Sequence, residues 1–500
     1  MNNVIFYLEK TANKFASNTA FIDEYGCINF KDLLSNAKKI ASHLIKNKVK
    51  PNTPIAFYVP KSINALCAMF GVAYARCAYA FLDVNDPSQR LHKKLEILKA
   101  NVILTDEQNY QNAKQNIKNK KIILIENMLK TDIDEILIAK TKAEFLSTDL
   151  LYINFTSGST GSPKAIAISH ANIIEFIPEF IKIFDINKKS IIANQAPFDF
   201  DVSAKDIYSA VFAAAKVIIV PRSYFSMPTK LIDLLIYHEV NTIIWAVSAV
   251  CLLSQMRGFS YKVPTKIKKV LFSGEIMPIK HLKIWQEFLP NALYANLYGP
   301  TEITCNCTYH IITQKYSDYI PIGKAFANKK VFLLDKQNKL INKVGIEGEI
   351  CVGGSCVAQG YYNDFEKSSE VFVQNPLNST HFERIYKTGD LAKYNENFEL
   401  VYVCRKDFQI KHMGHRIELS EIEKSVQDIN GVDRVCVIYN KNQIMLFYTG
   451  TLEKNRLTKK MKEILPNYML ASKIIQLEIM PLNKNAKIDR EKLLNMEIIS

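Results

Sequence analysis

Short apolar runs that alternate with helix-like segments are the feature that most constrains the fold of this chain. Ile55–Val59 is a continuous apolar run of strand length, a helix-like stretch follows at 62–75, and a second run covers Ala78–Val84. Similar runs recur at 102–104, 122–125, 216–220, 242–246 and 270–272. Continuous apolar strands separated by helices are typical of parallel sheets that are covered on both faces. The pattern therefore predicts an α/β fold.

The pattern of predicted helices and strands changes twice towards the carboxyl end. A length of 500 residues predicts about three structural units. From about residue 322, strand-like segments dominate, at Lys330–Leu334, Gly348–Val352 and Phe398–Val403. Beyond residue 407, helix-like and strand-like segments alternate again, at 418–428, 435–439, 445–448 and 457–465. This last part is long enough to fold as a domain, so we place a domain boundary near residues 405–407.

The charge balance limits the classes of partner. Basic residues outnumber acidic ones by 64 to 49, which gives a formal net charge of +15. Such a surface favours an acidic partner: nucleic acid, an anionic membrane or an acidic protein. The sequence shows no basic stripe with interleaved aromatic residues and no RNA-binding signature, so we expect no nucleic-acid partner. The most apolar stretch, Ala65–Leu82, is broken by Arg76 and is shorter than the ~20 residues of a membrane span, so we expect no membrane insertion.

The ten cysteines are scattered along the chain, and no pair has the Cys-x-x-Cys spacing of a structural zinc site. Free buried thiols are the favoured interpretation, and they indicate a reducing compartment. The first apolar stretch ends at Glu9 and Lys10, so it lacks the form of a signal peptide. Together these features predict a cytoplasmic protein.

A segment rich in hydroxyls and glycines follows the predicted strand Leu150–Phe155. It reads TSGSTGSPK at 156–164 and combines a mobile backbone, many N–H and O–H donors and the cation of Lys164. A polyphosphate needs such groups, because they can approach its oxygens closely. The Gly-x4-Gly-Lys-Ser/Thr pattern of a P-loop is absent. Taken alone, the segment fits a phosphate-binding loop or a Ser/Thr-rich surface loop about equally well.

Together with four later motifs, this segment resembles the signature loop of the acyl- and aminoacyl-adenylate-forming enzymes. That superfamily includes peptide-synthetase adenylation domains, acyl-CoA synthetases and luciferases. The later motifs follow in the order that the superfamily shows: NLYGPTE at 296–302, YKTGD at 386–390, RKDFQIKHMGHRIELSEIE at 405–423 and NAKIDR at 485–490. The resemblance covers residues 1 to about 495.

The resemblance implies a fold and a reaction. The fold has a large N-terminal domain, residues 1–405, of stacked mixed sheets with helices plus a small β-rich subdomain. A small, mobile α+β C-terminal domain, residues 406–500, carries a catalytic lysine and turns about a hinge at Asp407. In the implied reaction, a carboxylate attacks the α-phosphorus of ATP to give an acyl-adenylate and pyrophosphate, and a phosphopantetheine thiol then takes the acyl group. ATP and Mg²⁺ are the implied cofactors.

Roles in nucleotide binding follow from the same resemblance. Tyr298 would stack on adenine, and Asp390 would accept both ribose hydroxyls through its two carboxylate oxygens. Arg405 would donate to the same sugar. The full set that the resemblance implies for ATP binding is Thr156, Ser157, Gly158, Ser159, Thr160, Lys164, Asn296, Leu297, Tyr298, Gly299, Pro300, Thr301, Asp390, Arg405 and Lys487.

The resemblance also implies catalytic residues. Lys487 would bridge the substrate carboxylate and the α-phosphate and offset the charge that develops in the transition state. The alternative for Lys487 is a solvated lysine in a basic tail. Thr301 would hydrogen-bond the α-phosphate. Glu302 would bind Mg²⁺, which proteins usually hold with one or two carboxylates plus phosphate oxygens.

The substrate pocket is implied in the same way. Asp201, in the segment FDFDVS, matches the family carboxylate that pairs with the α-ammonium of an amino acid. Asp199, two residues earlier, is the alternative for this role. Lys205, Ser273 and Cys305 complete the implied pocket. For Lys205 we favour a side chain that points to solvent, because lysine is rarely buried unpaired; inside the pocket it would suit a substrate with a second carboxylate.

Within the superfamily, QAPFDFDVSAKDIY at 195–208, FSGEIMP at 272–278 and DFQIK at 407–411 resemble the D-alanine:D-alanyl carrier protein ligases. We therefore expect a ligase that activates an amino acid as aminoacyl-AMP and transfers it to a separate carrier protein, with D-alanine as the substrate that the resemblance favours. A separate carrier is expected because no Asp-Ser-Leu-type attachment site appears in the sequence. The alternatives are an acyl-CoA synthetase-type ligase for another small carboxylic acid, an enzyme for an acidic amino acid, and an inactive ATP-binding scaffold. Asp201 disfavours the first of these.

Overall fold

The computed structural model of the chain describes residues 3–158, 162–483 and 488–498. Its contacts divide the chain into two compact units. The first comprises Met1–Val84, Leu98–Asn154 and Ala165–Lys406, and the second comprises Asn85–Ile97, Phe155–Lys164 and Asp407–Ser500. Two short segments of the predicted domain 1–405 thus group with the second unit.

The strands follow one another closely along the chain. They are β1 (Thr19–Asp23), β2 (Gly26–Asn29), β3 (Pro54–Phe57), β4 (Ala78–Phe81), β5 (Val102–Thr105), β6 (Lys121–Leu124), β7 (Leu150–Thr156), β8 (Lys164–Ser169), β9 (Ile191–Asn194), β10 (Lys216–Ile219), β11 (Thr242–Ala246), β12 (Lys269–Ser273), β13 (Leu293–Tyr298), β14 (Thr308–Ile311), β15 (Lys324–Ala325), β16 (Lys330–Leu334), β17 (Leu340–Ile341), β18 (Gly348–Gly353), β19 (Gly360–Tyr361), β20 (Phe372–Gln374), β21 (Arg384–Tyr394), β22 (Leu400–Arg405), β23 (Gln409–His412), β24 (His415–Glu418), β25 (Arg434–Asn440), β26 (Gln443–Thr449) and β27 (Lys473–Gln476).

Helices separate most of these strands, as the sequence pattern predicts. The α-helices are α1 (Val4–Lys14), α2 (Phe30–Lys46), α3 (Ile63–Tyr74), α4 (Ser88–Leu98), α5 (Tyr110–Asn116), α6 (Ile125–Met128), α7 (Glu135–Ala143), α8 (His170–Ile183), α9 (Val202–Ala213), α10 (Pro228–Tyr237), α11 (Val247–Gln255), α12 (Ile279–Phe288), α13 (Phe365–Val371), α14 (Leu419–Gln427), α15 (Lys454–Ile464) and α16 (Arg490–Ile498). Short 3₁₀ turns lie at Arg222–Ser226, Gly258–Ser260, Thr301–Ile303 and Asn467–Met469.

The sheets of the first unit are mixed. One has the strand order β15-β14-β13-β12-β11-β9-β10-β1-β2, and its central strands, from β13 to β1, are parallel. Strands β2, β14 and β15 pair antiparallel at its edges. A second sheet has the order β19-β8-β7-β4-β3-β5-β6, in which β4, β3, β5 and β6 are parallel and β19 is antiparallel to β8. The parallel centres confirm the α/β prediction.

The β-rich part of the first unit is an antiparallel sheet with the order β17-β16-β18-β21-β20, and β22 also pairs with β21. Predicted and observed strands agree to the residue at Lys330–Leu334. In the pairing of β21 with β22, Asp390 lies opposite Arg405. This register places Asp390 and Arg405 side by side, and the sequence motifs assign both residues to the ribose of ATP.

Helices α3 and α9 lie in the interior of the first unit. Nearly every residue of α3 is buried, in keeping with its sequence INALCAMFGVAY, and the Ser62 hydroxyl caps its amino end by accepting a hydrogen bond from the Ala65 N–H. Helix α9 is also buried along most of its length, although Lys205 and Asp206 lie within it. Buried charged side chains need polar partners inside the fold.

The second unit has its own core. In it, β25 and β26 pair antiparallel, β26 and β27 pair parallel, and α14 packs on β25. The predicted helix at 418–428 is observed as α14, and the predicted strands at 435–439 and 445–448 are observed as β25 and β26. The core is made by apolar side chains of these elements, among them Ile422, Val426, Val437, Leu446 and Leu457.

All ten cysteines are free thiols, and seven of them are buried. Cys27 and Cys404 are exposed, and Cys251 is half-buried. The prediction of free thiols is therefore confirmed, and that of burial holds for the majority. Across the described part of the chain, no helix combines the length and the apolar character that crossing a bilayer requires.

Candidate functional site

Polar side chains gather at the carboxyl ends of parallel strands in the first unit. Ser273 is the last residue of β12, the turn 301–306 follows β13, and Asp201 immediately precedes α9, which follows β9. Strands β9, β11, β12 and β13 are parallel, so their carboxyl ends share one edge of the sheet. Open α/β sheets bind ligands at this edge.

Gly299 allows the turn after β13 to fold back tightly. A Cβ atom at this position would lie 2.6 Å from the Cα atom of Asn306 and 2.8 Å from the carbonyl oxygen of Cys305. Both are backbone atoms, so a larger residue would push the turn away. The turn is also strained, since Thr304 and Cys305 have φ angles of 60° and 66°, a left-handed conformation that is costly for residues other than glycine.

Lys329 holds this strained turn in place. Its buried Nζ atom donates hydrogen bonds to the carbonyl oxygens of Ile303, Thr304 and Asn306, at 3.4, 3.4 and 2.6 Å. The ammonium also lies 4.2 Å from the centre of the Phe176 ring, a favourable cation–π distance. Sequence reasoning missed Lys329, because one lysine in the pair at 329–330 gives no signal that it is buried.

Asp201 contacts two residues of the turn. Its carboxylate hydrogen-bonds the side chain of Thr301, and its backbone carbonyl accepts a hydrogen bond of 3.1 Å from the Cys305 thiol. Burial raises the pKa of Asp201, while the Lys205 ammonium and the Thr301 hydrogen bond oppose that shift. The structure thus brings together Asp201, Thr301 and Cys305, and their roles in the site stay predictions. Asp199, the alternative for the same role, is half-buried.

Lys205 is fully buried, so the prediction that it points to solvent is wrong. Its Nζ atom donates hydrogen bonds to Asn306 Oδ1 at 2.7 Å and to Ser273 Oγ at 3.4 Å. The physical reason is that α9 is surrounded by protein, which leaves the long side chain no route to water. Its partners come from distant parts of the sequence, which only the fold brings near. We call Asp201, Lys205, Ser273, Cys305 and Asn306 the Lys205 cluster.

Asp206 adds a second buried charge next to this cluster, which sequence reasoning did not assign to the site. Its Oδ2 atom accepts a 2.8 Å hydrogen bond from Asn194, whereas its Oδ1 atom has no hydrogen-bond partner among the described residues. Burial raises the pKa of Asp206, and the cations of Lys205 and Lys61 oppose the shift. Lys61 also donates to the Asn194 side chain at 3.2 Å.

Asp390 lies in a cluster of a different kind. Its Oδ2 atom accepts a hydrogen bond from the Tyr298 hydroxyl at 2.5 Å, and its Oδ1 atom pairs with Arg405 Nη1 at 2.8 Å. Its backbone N–H donates to the Thr388 hydroxyl at 3.0 Å. The structure brings together Asp390, Tyr298 and Arg405, whose role in nucleotide binding stays a prediction, and adds Thr388, which sequence reasoning missed; we call these four residues the Asp390 cluster. Arg405 reaches the carboxylate itself, where the resemblance implied a contact with the sugar.

Glu302 is fully buried beside the turn. One of its carboxylate oxygens accepts a 3.1 Å hydrogen bond from the Tyr361 hydroxyl. Within the described residues, no group of three or more His, Cys, Asp or Glu side chains could hold a metal ion. A buried carboxylate oxygen is nevertheless a hard ligand that fits Mg²⁺ when phosphate oxygens supply other positions. Tyr361 was not predicted from the sequence.

Asn296, Leu297 and Pro300 support the turn in the structure. Asn296 is buried and donates to the carbonyl oxygen of Pro321 at 2.9 Å, and Leu297 packs in the core. Pro300 precedes the 3₁₀ turn 301–303. Their predicted role in ATP binding stays a prediction.

The predicted phosphate loop belongs to the second unit. Within that unit, the Ser157 hydroxyl donates to the Arg416 carbonyl at 2.7 Å, and the Gly158 N–H donates to Glu421 Oε2 at 3.1 Å. Lys164 pairs with Glu418 at 3.2 Å. The carboxylates of Glu421 and Glu418 thus already bond the Gly158 N–H and the Lys164 ammonium, two groups that the motif assigns to phosphate.

Other predicted loop residues give a partial picture. The Thr156 hydroxyl is buried without a hydrogen-bond partner among the described residues. Ser159, Thr160 and Lys487 lie outside the described residues. Asp407 opens the third segment of the second unit, and its carboxylate accepts a 3.1 Å hydrogen bond from the Gln409 N–H.

Comparisons with known proteins give the family and the fold of the chain. The family model of the AMP-binding enzymes matches residues 8–362. Zwittermicin A synthase ZmaJ of Bacillus cereus is 31% identical over 97% of this chain and 93% of its own length. Several other relatives are much longer proteins, of which the chain spans between 6% and 19%.

Solved structures share the fold. The Vibrio cholerae adenylation domain AlmE, in complex with glycyl-adenosine-5'-phosphate, superposes with a TM-score of 0.85 at 19% identity and covers 100% of this chain and 98% of its own. PA1221, an NRPS protein with adenylation and PCP domains, bound to a vinylsulfonamide inhibitor, gives a TM-score of 0.85 at 23% identity over 99% of this chain and 84% of its own. The chain therefore belongs to the AMP-binding enzyme family of adenylate-forming ligases, which activate an acid through its adenylate.

Proposed function

We propose that this protein activates an amino acid as aminoacyl-AMP and transfers it to the phosphopantetheine thiol of a separate carrier protein. The observation that carries the proposal is Asp201, a carboxylate at the carboxyl edge of the parallel strands that hydrogen-bonds the side chain of Thr301. An α-ammonium needs such an anion, whereas a fatty acid does not. The glycyl-adenylate bound by AlmE and the carrier domain of PA1221 support the two halves of the proposal.

The Asp390 cluster would bind the nucleoside. Asp390 is held by Tyr298 and Arg405, and each carboxylate oxygen has a second lone pair for a ribose hydroxyl. The Tyr298 ring would lie against adenine. The carboxylate is thus oriented before ATP arrives, which reduces the entropy lost on binding.

The turn after β13 would position the reacting groups. The Thr301 side chain contacts Asp201, so its hydroxyl would lie between the bound amino acid and the α-phosphate. Glu302 would hold Mg²⁺, which neutralises charge on the phosphates when bound. Lys487, which the motif at 485–490 implies, would offset the charge that develops at the α-phosphate.

The reaction balances as transfer of an adenylyl group to the substrate carboxylate, followed by thiolysis. A carboxylate oxygen forms a bond to the α-phosphorus, the bond from that phosphorus to the oxygen bridging it to the β-phosphorus breaks, and pyrophosphate leaves with the electron pair. The carrier thiol then loses its proton and forms a bond to the acyl carbon, and AMP leaves with the electron pair of the C–O bond. Rotation about Asp407 between the halves is part of the proposal.

The test is ATP–pyrophosphate exchange with all proteinogenic amino acids and their mirror images. Exchange with at least one amino acid is expected, and acetate or a short fatty acid should give none. Lys487→Ala should lower the exchange rate about 100-fold or more while ATP still binds. Exchange driven only by acids without an amino group would contradict the proposal.

A further inference from the structure

The Lys205 cluster contains a buried cation that the protein does not fully neutralise. Lys205 Nζ has three protons to donate and two neutral oxygen partners, Asn306 Oδ1 and Ser273 Oγ. Within the described residues, no carboxylate lies within 4.0 Å of this ammonium. Removing an ammonium from water without a bonded anion costs several kcal/mol. A bound ligand that supplies an anion would recover that cost.

Neither neighbouring carboxylate, Asp201 nor Asp206, is hydrogen-bonded to the Lys205 ammonium. Asp201 and Asp206 influence the Lys205 cation through space, and Lys329 repels it. The Cys305 thiol stays protonated, because burial raises its pKa. Asp206 instead receives its hydrogen bond from Asn194. The free donor position of Lys205 is therefore not filled by its own surroundings.

The placement of Asp201 and Lys205 matches two charges on one small molecule. They are four residues apart at the start of α9, and side chains at that spacing lie on the same helix face with Cβ atoms about 5–6 Å apart. One offers an anion and the other a cation. An α-amino acid with a carboxylate in its side chain carries the complementary charges a few bonds apart.

We propose that the substrate is a dicarboxylic α-amino acid, whose α-ammonium pairs with Asp201 and whose side-chain carboxylate pairs with Lys205, Ser273 and Asn306. The inference rests on the proposed function. With both ends held, the α-carboxylate remains for attack on the α-phosphorus. The Asn306 amide and the Ser273 hydroxyl orient the ammonium and can also donate to the bound carboxylate.

A neutral amino acid fits this arrangement poorly. Alanine would leave the Lys205 ammonium buried and without an anion, and an amide side chain would pair with it less strongly than a carboxylate. The D-alanine preference that the sequence resemblance favours therefore conflicts with the buried lysine.

The first experiment measures ATP–pyrophosphate exchange by the unmodified protein with both hands of aspartate, glutamate, asparagine, glutamine, alanine, serine and glycine. We expect kcat/KM for one dicarboxylic acid to exceed that for its amide and for alanine by about 100-fold. Equal or better exchange with a neutral amino acid overturns the inference and leaves the proposed function standing. Absence of exchange with every amino acid contradicts the proposed function itself.

The second experiment compares Lys205→Met with Lys283→Met, which removes an exposed lysine on α12. Lys205→Met should lower kcat/KM for the dicarboxylic substrate about 100-fold and raise exchange with a neutral analogue of similar size. Lys283→Met should retain the original profile. An unchanged profile in folded Lys205→Met overturns the inference, and if that variant does not fold, the profile of the unmodified protein decides.

Discussion

Asp390 and Asp201 are two carboxylates of the same unit with opposite surroundings. Both oxygens of Asp390 are bonded, one to the Tyr298 hydroxyl and one to the Arg405 guanidinium. Asp201 accepts hydrogen bonds from two neutral groups, the Thr301 side chain and the Val202 backbone N–H, and the Lys205 ammonium bonds Asn306 instead. The protein itself supplies a counter-ion for the Asp390 carboxylate, whereas the Asp201 carboxylate is left to pair with a ligand. A site for a group common to all substrates can be closed in advance, whereas a site that selects must leave bonds to be made.

The largest effect should follow from Asp201→Asn. Loss of the anion leaves the substrate ammonium buried without a counter-ion, which corresponds to about 4 kcal/mol, or ~1000-fold in kcat/KM for the amino acid. The KM for ATP should differ from that of the unmodified protein by less than about threefold, because Asp201 is assigned to the amino acid and not to the nucleotide. Asp199→Asn is the matched control. Loss of activity in the control alone would place the ammonium site two residues earlier.

Arg405→Met should affect stability and nucleotide binding, because it strands the buried charge of Asp390. The free energy of unfolding should fall by about 3 kcal/mol in urea titration, and the KM for ATP should rise while the ranking of amino acids stays the same. Lys406→Met is the control, since the Lys406–Glu349 pair is about half exposed at its lysine and should cost under ~1 kcal/mol. A changed amino-acid ranking in Arg405→Met would mean that the two clusters are not separate.

Gly299→Ala should perturb both clusters at once. The residue lies between Tyr298 of the Asp390 cluster and Thr301, which contacts Asp201 of the Lys205 cluster, and an added Cβ would meet the backbone at 2.6 Å. A displacement of reacting groups by ~1 Å can lower the rate about 100-fold. We expect kcat/KM to fall together for ATP and for the amino acid in steady-state assays. A fall in kcat/KM for only one of the two substrates would show that the turn does not couple the Asp390 cluster to the Lys205 cluster.

The smallest effect concerns pH. Burial raises the pKa of Asp201 in the free protein, so a proton competes with the substrate ammonium as the pH falls. Below that pKa, the KM for the amino acid should rise by up to ~10-fold per pH unit. Above it, the carboxylate is ionised and the KM levels off. Asp201→Asn should lack this dependence, and retention of the same profile would assign it to another group.

The contrast also marks what the sequence could predict. The strand at 242–246 follows from a continuous apolar run, because burial on both faces of a parallel sheet requires one. The Asp390 cluster follows from ordered motifs. The direction of the Lys205 side chain could not be predicted, because its partners Ser273 and Asn306 are 68 and 101 residues away along the chain. Only the tertiary structure shows that α9 has no exposed face.

The phosphate loop shows the same limit. Its composition predicts donors for an anion, but it does not show that Glu418 and Glu421 already accept from Lys164 and Gly158. Those acids lie more than 250 residues further along the chain. Their role requires knowledge of which segments share a unit, which local patterns do not contain.

Lys329 has a consequence beyond holding the turn. Three carbonyl oxygens converge on its ammonium, an arrangement that elsewhere coordinates a dissolved cation. Here the cation is tethered by four methylene groups and enters at folding. Chelators cannot remove it and dilution cannot empty it, so these three carbonyl oxygens keep their cation without any dissolved ion at that position.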